Sequence, residues 1–268
     1  MALSRSSKSK GMWETVRTIV YAVAIAVVVR TFLYEPFNIP SGSMKPTLLV
    51  GDYLFVSKFA YGYSRHSLPF SPPIGDGRLF EALPERGDVA VFKLPSNNRT
   101  DYIKRIVGLP GDRIQVRDGV LFVNEQEVER LEVEDFVDDG PAGRMSCRSF
   151  AREGSGSAHV VKRFEETMPA LGEADGPVTY MVLDECPEGN GDYDNTAVFT
   201  VPEDHVFAMG DNRDNSLDSR AKVGYVPIEN LVGRAEIIFF STNGSARLWE
   251  VWKWPVTIRY GRLLNLID

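Results

Sequence analysis

Residues 18–29 read TIVYAVAIAVVV, an uninterrupted apolar run bracketed by Arg17 and Arg30. Twelve residues are short for a bilayer span, which needs about twenty. Met12, Trp13 and Val16 extend the run upstream, and Phe32, Leu33, Tyr34 and Phe37 extend it downstream. Both arginines can snorkel toward headgroups. The pattern predicts one transmembrane helix over residues 12–33. A cleavable signal peptide is the rival reading, because the start is positive and Ala22-Val-Ala24 and Ala24-Ile-Ala26 are small-x-small. Those alanines lie inside the apolar run rather than after it, which favours a retained anchor. Arg5, Lys8, Lys10 and Arg17 precede the uninterrupted apolar run, opposed only by Glu14. Positive flanks stay in the cytoplasm. Residues 1–11 are thus expected as a cytoplasmic basic tail, with everything after the helix outside the cytoplasmic membrane.

Beyond the helix the hydrophobic pattern changes to period two. In DYLFVSKF (52–59), Leu54 and Val56 point one way, and Tyr53, Phe55 and Phe59 the other. VAVFKL before Pro95 and the stretch 102–107 read as further strands. RIQVRDGVLFV (113–123) carries a hairpin signature, with Asp118-Gly119 as its tight turn. Late strands are expected at 205–209, 223–226 and 231–240. No βαβ alternation or internal repeat is visible. The fold class is mainly β, a barrel-like or curved antiparallel sheet behind one amino-terminal membrane helix.

Charge divides the chain further. The net charge is −7, which argues against nucleic-acid binding. The stretch 125–196 alone holds eighteen acidic and six basic side chains. The remainder is therefore mildly basic and free to approach an anionic membrane surface. Residues 124–200, acidic and broken by Gly-rich turns, read as an inserted subdomain with weak strand signals near 158–164 and 178–184. They carry no catalytic signature. They divide the β-domain into 34–123 and 201–246. Cys147 and Cys186 both lie in this insert; in an oxidising compartment they form a candidate disulfide, against two unpaired thiols. Neither sits in a metal-binding pair, and no metal or cofactor is expected. Residues 247–268 place Trp249, Trp252, Trp254 and Tyr260 among Arg247, Lys253, Arg259 and Arg262. That composition suits a membrane interface as well as a segment packed on the core.

Three short segments carry chemistry. IPSGSMKPTLLV (39–50) sets two serines around Gly42 between prolines, in an odd place for a flexible polar linker. A serine hydroxyl needs a base to act as a nucleophile. His66, His159 and His205 have no recognisable carboxylate partners. In DYIKRIVGLPGD, strand alternation puts Tyr102, Lys104 and Ile106 on one face and Ile103, Arg105 and Val107 on the other. If the first face is inward, desolvation disfavours the ammonium and lowers its pKa. A solvated strand lysine is the plain alternative. GDNRDNSLDSR (210–220) reads as a tight, internally hydrogen-bonded loop. Ser216 could orient a buried base there, and Asp218 could pair with Arg220. A metal on Asp211, Asp214 and Asp218 is a third option, but the spacing is not that of a calcium loop and arginines compete.

Taken in order, IPSGSMKPTLLVGDYLFVSKFAYG, RGDVAVFKLP, DYIKRIVGLPGD and MGDNRDNSLDSR resemble the bacterial type I signal peptidases. They cover residues 30–123 and 198–240. The resemblance implies a membrane-bound Ser-Lys endopeptidase that removes signal peptides from exported precursors at Ala-x-Ala sites through an acyl-enzyme. Ser43 matches the nucleophile and Lys104 the general base. Ser41 and the Ser43 backbone N–H match the oxyanion hole. Ser216, Asp218, Arg220, Asp211 and Arg213 match supporting residues. Phe37, Ile39, Met44, Leu48, Leu54, Val91, Tyr102 and Ile103 match the lining of shallow pockets for small side chains. The implied protein is a single-pass monomer of the bacterial inner membrane, and its partners are signal-peptide-bearing precursors and the phospholipid bilayer. The chain departs from the family in having one span where some relatives have two, and in its insert. Two other classes compete: a non-catalytic membrane-tethered β-domain that binds export or envelope partners, and a self-cleaving Ser-Lys regulator. The latter normally carries a DNA-binding module, which this sequence does not suggest.

Overall fold

A computed structural model of the chain describes residues 6–68, 71, 75, 77–138, 159–169, 176–186, 189 and 191–267. The amino-terminal helix α1 runs Ser6–Phe32. Its apolar part, Met12–Phe32, is 21 residues long and spans about 31 Å at 1.5 Å per residue, enough to cross a bilayer core. Its side chains are almost all exposed, as a lipid-facing helix requires. One residue later the chain becomes extended.

The strands are β1 (Tyr34–Asn38), β2 (Asp52–Ser57), β3 (Val89–Lys93), β4 (Asp101–Gly108), β5 (Arg113–Arg117), β6 (Val120–Val123), β7 (Gln126–Glu127), β8 (Glu129–Glu132), β9 (Phe136–Asp138), β10 (His159–Met168), β11 (Val178–Asp184), β12 (Phe199–Thr200), β13 (His205–Met209), β14 (Val226–Pro227), β15 (Leu231–Ser241) and β16 (Asn265–Leu266). The largest sheet has the order β1-β2-β15-β3-β4-β13-β14, with β16 also on β15, and all its pairs are antiparallel. It curls into a half-barrel, and the fold is mainly β. The strands β8 to β11 form a second sheet, and β12-β5-β6-β7 a third.

Local chemistry explains these elements. β2 buries Leu54 and Val56 and leaves Tyr53 and Phe55 half-exposed, the alternation its sequence carries. The β5–β6 hairpin turns on Asp118 and Gly119, both at positive φ (48° and 80°), as a two-residue turn between twisted strands requires. Pro36 lacks an N–H and sits in β1, an edge strand that pairs only with β2, where the loss is tolerated.

One expectation needs correction. The strand expected at 223–226 shrinks to Val226–Pro227, because Ala221 and Val223 donate back to the Asp218 carbonyl and hold that stretch in turns. In β4 both faces are covered: Lys104 and Ile106 are buried on one, Arg105 and Val107 on the other.

The half-barrel leaves one opening that matters. β13 pairs with β4 only from Arg105 to Gly108. Among the described residues, no strand covers residues 101–104 on that side. Next to this opening, Ile39, Met44 and Leu48 plug into an apolar cluster with Leu54, Val56, Val89, Val91 and Val232. The loop that begins at Ile39 is thereby pinned to the sheet.

Packing at the centre of the large sheet leaves no spare room. A Cβ on Gly233 in β15 would lie 2.2 Å from the Ser57 carbonyl oxygen of β2. Gly233→Ala is therefore expected to destabilise the fold by about 1–3 kcal/mol, seen as a lower melting temperature in detergent. Melting at the unaltered temperature would contradict this packing.

Candidate active site

The loop after β1 and the middle of β4 meet at the opening. Lys104 Nζ lies 2.5 Å from Ser43 Oγ. Ser41 Oγ lies 3.4 Å from the same oxygen. Lys104 is buried, and its amine sits 5.9 Å from the Tyr102 ring centroid. Burial pulls its pKa down from the usual lysine value to about 8; Asp218 and Asp211 act upward against it, and Arg220 acts downward.

The loop 210–220 closes the other side. The Asn212 N–H donates to the Ser43 carbonyl at 3.1 Å, and Asn212 Nδ2 donates to the Gly42 carbonyl at 3.3 Å. A single residue thus holds the serine turn by two backbone carbonyls. Gly210 permits the approach: a Cβ there would stand 2.2 Å from Ser216 Oγ and 2.5 Å from the Ser43 carbonyl oxygen. Its N–H donates to Asp218 Oδ2 at 3.0 Å. The Ser216 hydroxyl is buried and has no hydrogen-bond partner among the described residues.

Charges are paired off around the lysine. Asp218 takes Arg220 through both carboxylate oxygens, at 3.0 and 2.9 Å. Burial pushes Asp218 upward, but Arg220, the Gly210 N–H and Lys104 together outweigh it and the carboxyl is held below its ordinary range. Asp211 takes Arg105 in the same way, at 2.9 and 2.8 Å, with Thr47 Oγ1 donating at 2.6 Å. Asp214 instead accepts the backbone N–H groups of Glu185 and Cys186. Burial, with Asp184 and Asp194 close by, pushes Asp214 up to about 7. Asp211, Asp214 and Asp218 thus turn to three separate sets of partners, and do not converge on a common point as metal ligands would.

Ser41, Ser43, Tyr102, Ile103, Lys104 and Ser216 line a cleft of about 740 Å³. Asp192 and Tyr193 form part of its wall. Phe37 lines a neighbouring cleft of about 790 Å³ beside the end of α1, and Asp101 lines both. Ile39, Met44, Leu48, Leu54 and Val91 lie beneath, each at most 3% exposed. His66 faces the neighbouring cleft, and His205 Nδ1 meets the Glu203 carbonyl; neither histidine lines the serine cleft.

Sequence reasoning missed a set of residues from 124–200. Glu166 binds Arg213, and Tyr180 lies against Arg105, 4.3 Å from guanidinium carbon to ring centroid. Leu183 pairs with Asn212 through the backbone, and Glu185 accepts from Asn212 Nδ2 at 3.2 Å. The one available signal was an unpartnered Arg213 in an acidic loop. Cys186 is fully buried and disulfide-bonded. Cys147, the other half of the expected bridge, lies outside the described residues.

The chain is similar to known proteins over most of its length. The family model described as "Signal peptidase, peptidase S26" matches residues 12–240. The Signal peptidase I of Rickettsia typhi is 38% identical over 249 residues, covering 91% of this chain and 86% of that protein. That of Rickettsia prowazekii is 40% identical over 225 residues, covering 83% and 78%. A solved signal peptidase I from Enterococcus faecalis V583 is 21% identical and covers 57% of this chain and 97% of its own, with a TM-score of 0.29, too low for the two folds to be equated. With a family match across most of its length and relatives near 40% identity, the chain belongs to the signal peptidases of peptidase family S26 and is a serine peptidase.

Proposed function

We propose that this chain is a single-pass enzyme of the bacterial inner membrane that removes signal peptides from exported precursors, with Ser43 as nucleophile and Lys104 as general base. The observation that carries the reading is the 2.5 Å approach of a buried lysine amine to a serine hydroxyl. An uncharged Lys104 accepts the Ser43 proton as Oγ attacks the scissile carbonyl carbon. The oxyanion is met by the Ser43 N–H and the Ser41 hydroxyl, donors of a kind each worth about 3 kcal/mol. Lys104 then returns the proton to the departing amine, leaving an ester on Ser43. Water, deprotonated by the same lysine, hydrolyses the ester and frees the signal peptide as a carboxylate. The partnerless Ser216 hydroxyl shares the cleft and is available to steady the lysine while it carries the proton. Asp218–Arg220 and Asp211–Arg105 hold the surrounding charge in place.

Substrate would enter as an extended strand along the uncovered edge of residues 101–104. Selection of small-x-small sites follows from the packing below. Ile39, Met44, Leu48, Leu54 and Val91 fill a closed core, so a side chain pressed against it finds a floor and no deep hole. Larger groups would clash. Lys8, Lys10 and Arg17, at the start of α1 and ahead of its apolar run, favour an amino terminus in the cytoplasm and a site outside it.

The carboxy-terminal segment supports contact with the outer leaflet. Trp254 packs on Phe240, while Trp249, Trp252 and Tyr260 are 65%, 70% and 64% exposed. Exposed amphipathic rings suit a headgroup layer better than water.

Three outcomes test these readings. Ser43→Ala and Lys104→Ala are expected to lower cleavage of an Ala-x-Ala peptide by at least about 1,000-fold while remaining folded. Lys104→Arg should be equally inactive, since a guanidinium does not give up its proton; normal turnover by any of the three removes that group from the mechanism. Only the uncharged amine acts as base, so kcat/KM should climb with pH through about 8, with that limb absent from Lys104 variants. A limb at the ordinary histidine value would instead assign the base to a histidine. Finally, in bilayers containing brominated lipids, a Trp13→Phe chain fluoresces only from the three carboxy-terminal tryptophans. Quenching is expected; unquenched emission places that segment in water.

A further inference from the structure

Arg213 lies in the loop that carries Ser216 and Asp218, yet its guanidinium contacts strands far from the cleft in sequence. Glu166 on β10 is wholly buried. Its carboxylate accepts from Arg213 Nη1 at 2.8 Å and Nη2 at 2.5 Å, and from the Tyr180 hydroxyl of β11 at 3.0 Å. Arg130 Nε stands 3.9 Å away. The Tyr180 ring also covers Arg105, the residue after Lys104. The backbone repeats this grip: the Leu183 N–H donates to the Asp211 carbonyl at 2.8 Å, and the Arg213 N–H to the Leu183 carbonyl at 2.9 Å. Between those two anchors Asn212 reaches the opposite way and holds Ser43. The Arg213 carbonyl accepts Arg220 Nη2 at 2.6 Å, and Arg220 fixes Asp218.

A buried ion pair is a weak source of stability, because desolvation offsets its attraction. Its surplus value is geometric: a two-pronged contact between planar groups fixes orientation as well as distance. Here the loop it fixes contacts the serine turn on one side and sets the charges around the lysine on the other. We propose that Glu166 is a positioning residue for the Ser43–Lys104 pair, making β10 and β11 part of the catalytic apparatus through Arg213. The inference rests on the Ser-Lys reading above.

Charge separates this role from simple loosening. The groups acting on Lys104 are Asp218, Asp211 and Arg220, and those facing Glu166 are Arg213, Arg130 and Tyr180. Neutralising Glu166 leaves Asp211, which also acts on Lys104, as the remaining carboxylate acting on Arg213, so positive charge is in excess behind the loop. Added positive charge disfavours the ammonium form of a nearby lysine and moves its titration to lower pH. A loosened site that admits water moves it to higher pH, toward the free amine.

The test uses the full chain in detergent with a fluorogenic Ala-x-Ala peptide, measuring kcat and KM against pH. Glu166→Gln is expected to lower kcat on the order of 100-fold, the scale of a misplacement near 1 Å, with KM unchanged and the acid limb at lower pH. Glu166→Asp keeps the charge and should leave the limb in place while recovering part of kcat. Unaltered kcat in Glu166→Gln, or a limb moved to higher pH, overturns the proposal. Should Glu166→Gln fail to fold, Tyr180→Phe removes one donor to the carboxylate and is expected to lower kcat alone; an unaltered kcat there also overturns it. Ser43→Ala run in parallel reports separately on the dyad, since turnover without the hydroxyl sinks that reading whatever Glu166 does.

Discussion

Desolvation of one amine governs this site. Lys104 stands buried against Tyr102 and the serine turn, and the cost of keeping a charge there pulls its titration to about 8. The shift corresponds to about 3 kcal/mol of differential solvation. Two carboxylates, Asp218 and Asp211, act in the opposite direction and would restore the charged form if left bare. Each is instead matched to an arginine through two oxygens, Asp218 to Arg220 and Asp211 to Arg105. The Arg220 contact helps hold Asp218 ionised, and both ion pairs disperse the field of the carboxylates they bind. The same groups that give the loop its rigidity let burial prevail at the amine.

Geometry at the hydroxyl follows from a second constraint, the absence of side chains where backbones must touch. Gly210 sits where any Cβ would collide with Ser216 and with the Ser43 carbonyl. Without that gap Asn212 could not reach the serine turn with both its N–H and its side-chain amide. Met44 and Leu48 secure the turn from beneath by burial. A loop that would otherwise be mobile is therefore held from two sides, by apolar packing below and hydrogen bonds above.

Much of this was legible in the sequence because it depends on local pattern. The apolar run gives α1, period-two alternation gives β2, and Asp118-Gly119 gives the hairpin. The serine turn, the lysine strand and the Asp-rich loop are each visible as segments. Their meeting is not, because a contact between residues 43 and 104 leaves no periodic mark on either segment. The partner of Arg213 was less legible still. Eighteen acidic side chains crowd 125–196, and nothing local distinguishes Glu166 from the others. Strand alternation separated the two faces of β4 without saying that both are covered, one by the serine turn and the other by Asp211 and Tyr180.

The junction between the helix and the half-barrel is short. Only Leu33 separates α1 from β1, and at about 3.3 Å per residue the five residues of β1 advance roughly 17 Å. Arg30 pairs with Glu35, and Glu35 with the buried Lys58, so the start of β1 is clamped across the helix end. Tyr63 adds a second clamp, its hydroxyl donating to the Phe32 carbonyl at 2.7 Å. The helix and the half-barrel therefore do not swing freely at their junction. The neighbouring cleft begins at Val27, Arg30 and Thr31 on the helix and reaches Asp101, which also lines the serine cleft. The two clefts therefore meet at Asp101, and the short, clamped junction limits how far the serine turn can stand from the helix end.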